Sequence, residues 1–267
     1  LLAEDGGLFQ NPDGHGGVIR ALREGGLARR MAERGIEELF YFQIDNPLVC
    51  VPDPQFLGRH RLAGSEMSSK VIPKAHAEEK LGVIALADGR PGVIEYSELE
   101  DSDRRATLAG GRLRFSHGSI AIHVLNAAFL SRAETSLPFH LARKKVKVLR
   151  PASGGARVEE REAVKFETFI FDAMACARRP LFLETRRAEE FAPLKNATGE
   201  DSIETCTAGM IDLYARWLER CGVEVPRVGG RPAHRIEISP LYACDAETLK
   251  IRLGGSVNRI DADTLIG

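Results

Sequence analysis

Apolar positions recur along this chain in two rhythms, and the alternation between them predicts its elements. Residues 22–34 carry helical spacing, broken by Gly25-Gly26 and stopped by Gly35. Residues 38–44, Glu-Leu-Phe-Tyr-Phe-Gln-Ile, are rich in β-formers and read as a buried strand ended by Asp45-Asn46-Pro47. A short helix is expected over 54–62, then strand-like runs at 69–72, 82–86, 92–96 and 119–125, with Asp88-Gly89-Arg90 as a hairpin turn. Residues 126–132 read as helix and 145–149 as strand. Over 162–177, Val164, Phe166, Phe169, Ile170 and Met174 stand near helical period, which predicts a helix and makes Phe166, Phe169 and Phe171 core residues, with ligand packing the minority role. A strand follows at 181–185. The clearest helix spans 203–221, capped by Ser202 and stopped by Gly222, and a late strand at 235–239 ends at Pro240. Ser153-Gly154-Gly155 and Gly229-Gly230 read as loops. Strands alternating with helices predict an α/β domain with a mostly parallel central sheet, flanking helices and an added β-hairpin.

Composition narrows the class. The chain has 267 residues and 43% hydrophobic content, enough for one large core or two small ones. Lys+Arg is 37 against Asp+Glu 38, so a broad nucleic-acid footprint is not expected. No apolar run is long enough to span a bilayer, and the start, Leu1-Leu2-Ala3-Glu4-Asp5, does not read as a signal peptide. The five cysteines form no C-x-x-C pair and read as reduced thiols, mostly core filler. A cytoplasmic location is therefore expected, and the sequon Asn196-Ala197-Thr198 reads as chance.

Four places could carry chemistry. Pro12-Asp13-Gly14-His15-Gly16-Gly17 crowds three glycines into a turn that opens a helix, which can offer backbone N–H groups to a ligand or be only a turn. Asp45 follows a strand end, where ligands of open α/β sheets bind and where one carboxylate can hold Mg²⁺ with phosphate oxygens; the alternative is a turn-forming Asp-Asn-Pro. Glu95-Tyr96 closes a strand and suits sugar hydroxyls, with Gly82 leaving room beside it; the alternative is an exposed strand end. Lys165 and Lys195 are candidate phosphate partners, Lys195 between the apolar anchors of its loop; the alternative is solvated lysine.

In order, these pieces resemble the UDP-sugar pyrophosphorylase family, nearest its UDP-N-acetylglucosamine pyrophosphorylase branch. The carriers are the glycine turn, Ile44-Asp45-Asn46, Ser69-Lys70-Val71, Gly82-Val83-Ile84, Val93-Ile94-Glu95-Tyr96-Ser97-Glu98, residues 118–123 and 165–172, Phe191-Ala192-Pro193-Leu194-Lys195-Asn196 and Ile236-Glu237-Ile238-Ser239-Pro240-Leu241. The resemblance implies a Rossmann-like, GT-A-like nucleotidyltransferase fold. It implies catalytic roles for Lys195 and Asp45, Mg²⁺ on Asp45, and nucleotide contacts from Gly14, His15, Asp45 and Lys165. Gly82, Glu95, Tyr96, Ser119, Phe169, Phe171 and Lys195 would meet the substrate. The implied partners are UTP, a sugar 1-phosphate and the UDP-sugar, with no nucleic acid and no membrane; the oligomeric state stays open.

The family's usual Asn is His15 here, and two further Asn positions are Ser119 and Ile122, which opens the choice of sugar. A glucose 1-phosphate or broad UDP-sugar pyrophosphorylase and an inactive nucleotide-sugar binding fragment remain alternatives. A metal-dependent glycosyltransferase would show Asp-x-Asp, where this chain has Asp45-Asn46-Pro47. The family's first strand and glycine-rich nucleotide loop have no counterpart in the chain. The resemblance thus implies a catalytic domain over 1–240 without that loop, the start of a C-terminal region over 241–267, and little turnover from these residues alone.

Overall fold

A computed structural model describes residues 1–87, 89–132, 137–152 and 155–267. Asp88 of the expected hairpin turn, and Ser153 and Gly154 of the expected loop, lie outside the described residues. The glycine turn leads into α1 (Gly17–Glu24) and α2 (Leu27–Glu33), separated by Gly26 in left-handed conformation (φ 72°). Next come β1 (Glu38–Tyr41), α3 (Pro54–Ala63), β2 (Met67–Pro73), the hairpin β3 (Val83–Ala87) and β4 (Arg90–Ile94), α4 (Asp101–Arg105), β5 (His117–Asn126) and α5 (Ala127–Arg132). A second hairpin, β6 (His140–Ala152) and β7 (Gly155–Glu167), precedes a 3₁₀ helix (Ile170–Cys176), β8 (Leu181–Glu184), α6 (Arg187–Glu190) and α7 (Ile203–Arg220). The chain continues through β9 (Arg227–Val228), β10 (Arg231–Pro232), β11 (Ile236–Ile238), α8 (Ala246–Leu253) and β12 (Thr264–Ile266).

Local chemistry explains where helices begin. Asp53 accepts hydrogen bonds from the Gln55 and Phe56 N–H groups at the start of α3. Ser202 and Thr205 form a reciprocal capping box on α7.

The main sheet runs β4-β3-β5-β2-β8, with β1 also on β5. The mixed α/β class, flanking helices and β3–β4 hairpin agree with the sequence; the mostly parallel character does not. β5 runs antiparallel to β1, β2 and β3, β3 runs antiparallel to β4, and only the β2–β8 ladder of this sheet is parallel among the described residues. The sequence misleads because the central strand β2 is buried over Met67–Ile72 with none of the alternation that marks most antiparallel sheets. Ile19, Met67, Leu125, Phe129, Ile170 and Met174 fill one face; Phe56, Ile72, Ile120, Ile122 and Val124 fill the other. A further core joins α7 to the last segment through Leu218, Ile236, Ile238, Leu249, Leu253 and Ile260.

The helix expected over 162–177 is not formed. Residues up to Glu167 complete β7, and only Ile170–Cys176 turns, as 3₁₀. Val164 and Phe166 lie two apart on one strand face, and Phe166 is 57% exposed where Phe171 is 4% exposed, so Phe166 is not core. The cause is the continuous ladder from His140↔Glu167 to Ala152↔Gly155, a nonlocal pairing that a local apolar count cannot register. The strand expected over 145–149 lies wholly within the longer β6, as does the basic run at 143–147. Of the cysteines only Cys206 is buried; Cys176 and Cys244 are exposed, so core filling is the exception.

The β2–β5 ladder slips at one point. Between Ser69↔His123 and Val71↔Ser119, β2 spends one residue, Lys70, while β5 spends 120–122, with Ala121 at φ 54°. Lys70 is fully buried. Its ammonium donates to Asp53 Oδ2 at 2.6 Å and to Glu190 Oε1 at 2.5 Å, and Thr185 Oγ1 also donates to Glu190. The ion ties β2 to the start of α3 and the end of α6. Replacing it by an apolar residue strands two carboxylates, so Lys70→Met is expected to cost about 3–5 kcal/mol, read as a lower urea midpoint at unchanged m.

Candidate active site

The loop after β1 turns back over the sheet because Asn46 is used structurally. Asn46 is 4% exposed; its Nδ2 donates to the Glu190 carbonyl at 2.7 Å, and its Oδ1 accepts from Ala192 N–H at 3.1 Å. Leu194 N–H donates to the Asp45 carbonyl at 2.7 Å. These three bonds place Asp45 and Lys195 on one rim, although they lie far apart in sequence.

A cleft of about 210 Å³ opens at that rim, lined by His15, Asp45, Gly82, Glu95, Tyr96, Ser119, Phe169, Phe171 and Lys195, together with Gln43, Asn46, Lys80, Phe191 and Pro193. Its floor is the slipped stretch of β5, Ser119 to Ala121. One wall is Glu95 and Tyr96. Gly82 makes that wall possible: a Cβ there would stand 2.6 Å from Val93 Cγ1 and 3.0 Å from Glu95 Oε1. The other wall is His15 against Phe169 and Phe171, with ring centroids 5.0 and 5.7 Å apart. Ile170 N–H donates to His15 Nδ1 at 3.1 Å and fixes the ring.

Gly14 and Lys165 do not line the cleft. The glycine turn is zippered to the end of β7: Gly16 N–H donates to the Thr168 carbonyl at 2.8 Å, and Thr168 N–H to the Asp13 carbonyl at 2.7 Å. A Cβ on Gly14 (φ 85°) would lie 2.3 Å from the Thr168 carbonyl oxygen. Backbone crowding accounts for this glycine, and one N–H of the turn, that of Gly16, is spent on Thr168. Lys165 is ion-paired with Glu167 at 2.6 Å. Sequence reasoning passed over His140 entirely and gave Lys70 and Asn46, though both lie in quoted motifs, no structural role beyond the Asn46 turn. None stands out until a distant partner is known.

Burial sets the charges. The Glu95 carboxyl is pushed up to about 6 by burial, with Glu98 adding and His140 and Lys195 opposing. Burial pushes His15 down to about 4, so its ring is neutral at pH 7. The cleft thus combines a hydrogen-bonding carboxyl, a neutral imidazole, an aromatic pair, the acid Asp45 and the lysines Lys80 and Lys195. That set can hold a polyhydroxylated ring with an attached phosphate.

The chain matches the family model described as UTP–glucose-1-phosphate uridylyltransferase over residues 6–207, and it belongs to that family. It is 34% identical to human UDP-N-acetylhexosamine pyrophosphorylase-like protein 1 over 263 residues, covering 91% of this chain and 52% of that one. It is 34% identical to the UDP-N-acetylglucosamine pyrophosphorylase of Saccharomyces cerevisiae over 234 residues, covering 84% of this chain and 49% of that one. The chain spans about half the length of the curated relatives it matches. A solved Entamoeba histolytica structure assigned to UDP-N-acetylglucosamine pyrophosphorylase superposes with TM-score 0.85 at 30% identity, over 100% of this chain and 66% of that one. The Trypanosoma brucei enzyme of that name, at 24% identity and TM-score 0.80, covering 100% of this chain and 57% of that one, shares the fold.

Because the folded state raises the Glu95 midpoint, ionising it costs stability once pH exceeds the ordinary carboxylate range, and nothing below it. Glu95→Gln is therefore expected to gain about 1–2 kcal/mol at pH 7 and nothing at pH 4, checked by urea denaturation at both values.

Proposed function

We propose that the protein acts as a uridylyltransferase, forming UDP-N-acetylglucosamine and pyrophosphate from UTP and N-acetylglucosamine 1-phosphate. The observation that carries this reading is the convergence of Asp45, Glu95 and Lys195 on one cleft, held by the Asn46 clasp. Family membership supports the reaction class, and the names of the relatives support the sugar.

In this reading a phosphate oxygen of the sugar phosphate attacks the α-phosphorus of UTP. The new P–O bond forms as the bond from that phosphorus to the β-phosphate oxygen breaks, and pyrophosphate leaves with the electron pair. No covalent enzyme intermediate is needed; positioning and charge neutralisation suffice. Lys195 neutralises phosphate charge as it redistributes. Glu95 and the Tyr96 edge take the sugar hydroxyls, while Phe169 and Phe171 pack on the ring. Neutral His15 offers its remaining nitrogen to nucleotide or sugar.

Among the described residues no three His, Cys, Asp or Glu side chains gather as a metal cage. Asp45 fits Mg²⁺ in another way, as the single carboxylate beside substrate phosphates and water. Bound there, the ion would offset phosphate charge. Residues 1–240 are read as the catalytic domain and 241–267 as the start of a C-terminal region. No described helix is long and apolar enough to cross a membrane, and the cytoplasm is the compartment we propose.

Calorimetry with UDP-N-acetylglucosamine, UDP-glucose and UDP-galactose tests the reading: the first is expected to bind tightest, and binding of none overturns it. Where turnover is measured as pyrophosphate release, Lys195→Ala is expected to lower the rate by about 10²–10³. A loss below about threefold removes Lys195 from the phosphate site.

A further inference from the structure

His140, the first residue of β6, stands between the two walls of the cleft. Its Nδ1 lies 2.6 Å from Glu98 Oε1, and its Nε2 lies 2.9 Å from Asp172 Oδ2. Each carboxylate follows a wall residue by three positions and is tied to it through the backbone. Glu98 N–H donates to the Glu95 carbonyl at 2.9 Å, and Glu95 N–H donates to Glu98 Oε2 at 3.3 Å. Asp172 N–H donates to the Phe169 carbonyl at 3.2 Å. The imidazole also packs on Phe169, with centroids 4.7 Å apart. Two ionised carboxylates only accept, so filling both contacts needs two N–H donors, which only the imidazolium has.

We propose that His140, held between Glu98 and Asp172, is a positioning residue that sets the gap between the Glu95 wall and the Phe169–Phe171 wall, and so the cleft's grip on the sugar. This deepens the uridylyltransferase reading and rests on it for the identity of the ligand. His140 does not line the cleft; it acts through the walls.

The clamp is pH-sensitive in a defined direction. Burial opposes the charge on His140, but its hydrogen bonds to Glu98 and Asp172 outweigh burial and raise its midpoint. Glu95 and His15 face it from the cleft, and Glu167 opposes it across the β6–β7 ladder. The bridge is complete below the ordinary histidine range and is lost as pH rises through the raised midpoint. Without the proton one carboxylate loses its donor, and Glu98 and Asp172 repel.

The test uses the whole chain, Glu98→Gln and His140→Ala. Nuclear magnetic resonance of the free protein follows the His140 ring and the Tyr96, Phe169 and Phe171 rings from acid to alkaline pH. All four are expected to share the raised His140 midpoint, separate from the Glu95 step. Glu98→Gln should lower that midpoint for the walls and His140 together, and His140→Ala should remove it. Wall signals indifferent to the His140 midpoint would overturn the proposal, and Glu98→Gln carries this arm if His140→Ala does not fold. Calorimetry adds a second arm: His140→Ala should weaken UDP-N-acetylglucosamine about tenfold while leaving UDP within about twofold, the worth of one charged contact to the sugar wall. Equal losses for both ligands would reduce His140 to general structural support and overturn the proposal. A wild-type chain that binds neither ligand defeats the uridylyltransferase reading, and the resonance arm then decides the clamp by itself.

Discussion

A fully buried ammonium group must find counter-charge inside the protein, because stripping its water costs several kcal/mol that only good geometry returns. Lys70 finds it in Asp53 and Glu190, and the rest of the site hangs from that arrangement. Asp53 at once caps α3, so the ion pair and the helix start share one carboxylate. Glu190 at once offers its carbonyl to Asn46, so the charge pair and the loop clasp share one residue. Through these two shared groups a single cation organises the loop bearing Asp45 and the loop bearing Lys195. Neither loop has regular secondary structure to hold it otherwise.

The cleft above this anchor is built by omission as much as by placement. Gly82 leaves the volume that Glu95 occupies, and Gly14 and Gly16 let the first turn touch the backbone at 167–169. The same closeness puts His15 against Phe169 and into a dry enough setting to stay neutral. Glu95 feels the opposite consequence of burial and holds its proton longer. One desolvated cleft thereby holds an imidazole that is neutral at pH 7 and a carboxyl whose midpoint, about 6, lies just below that pH.

Much of this was legible in the chain. Ser202 and Gly222 bracketed α7, β-formers marked β1, and Gly89 marked the β3–β4 hairpin, because each signal is local. The ordered motifs also named His15, Asp45, Gly82, Glu95, Tyr96, Ser119, Phe169, Phe171 and Lys195, which the fold brings to one cleft. What was not legible is nonlocal. Val164 and Phe166 fit a helix until β6 is known to lie beside them. Lys165 pairs with Glu167, a partner the sequence does not single out. Lys70 lay inside a recognised motif, yet its burial depends on two residues of other segments. His140 opened a strand and carried no motif at all; its meaning appears only when Glu98 and Asp172 flank it.

The slipped stretch of β5 has a consequence for how such a cleft can diversify. Its base is largely main chain, bent through Ala121 and secured by the Ser119 amide on the Gly82 carbonyl at 2.8 Å. Peptide groups are inherited whatever the side chains become, so mutational drift at 119–121 retextures the base without dismantling it. Side chains that vary there, Ser119 first among them, change what the base presents to an occupant while its bend endures.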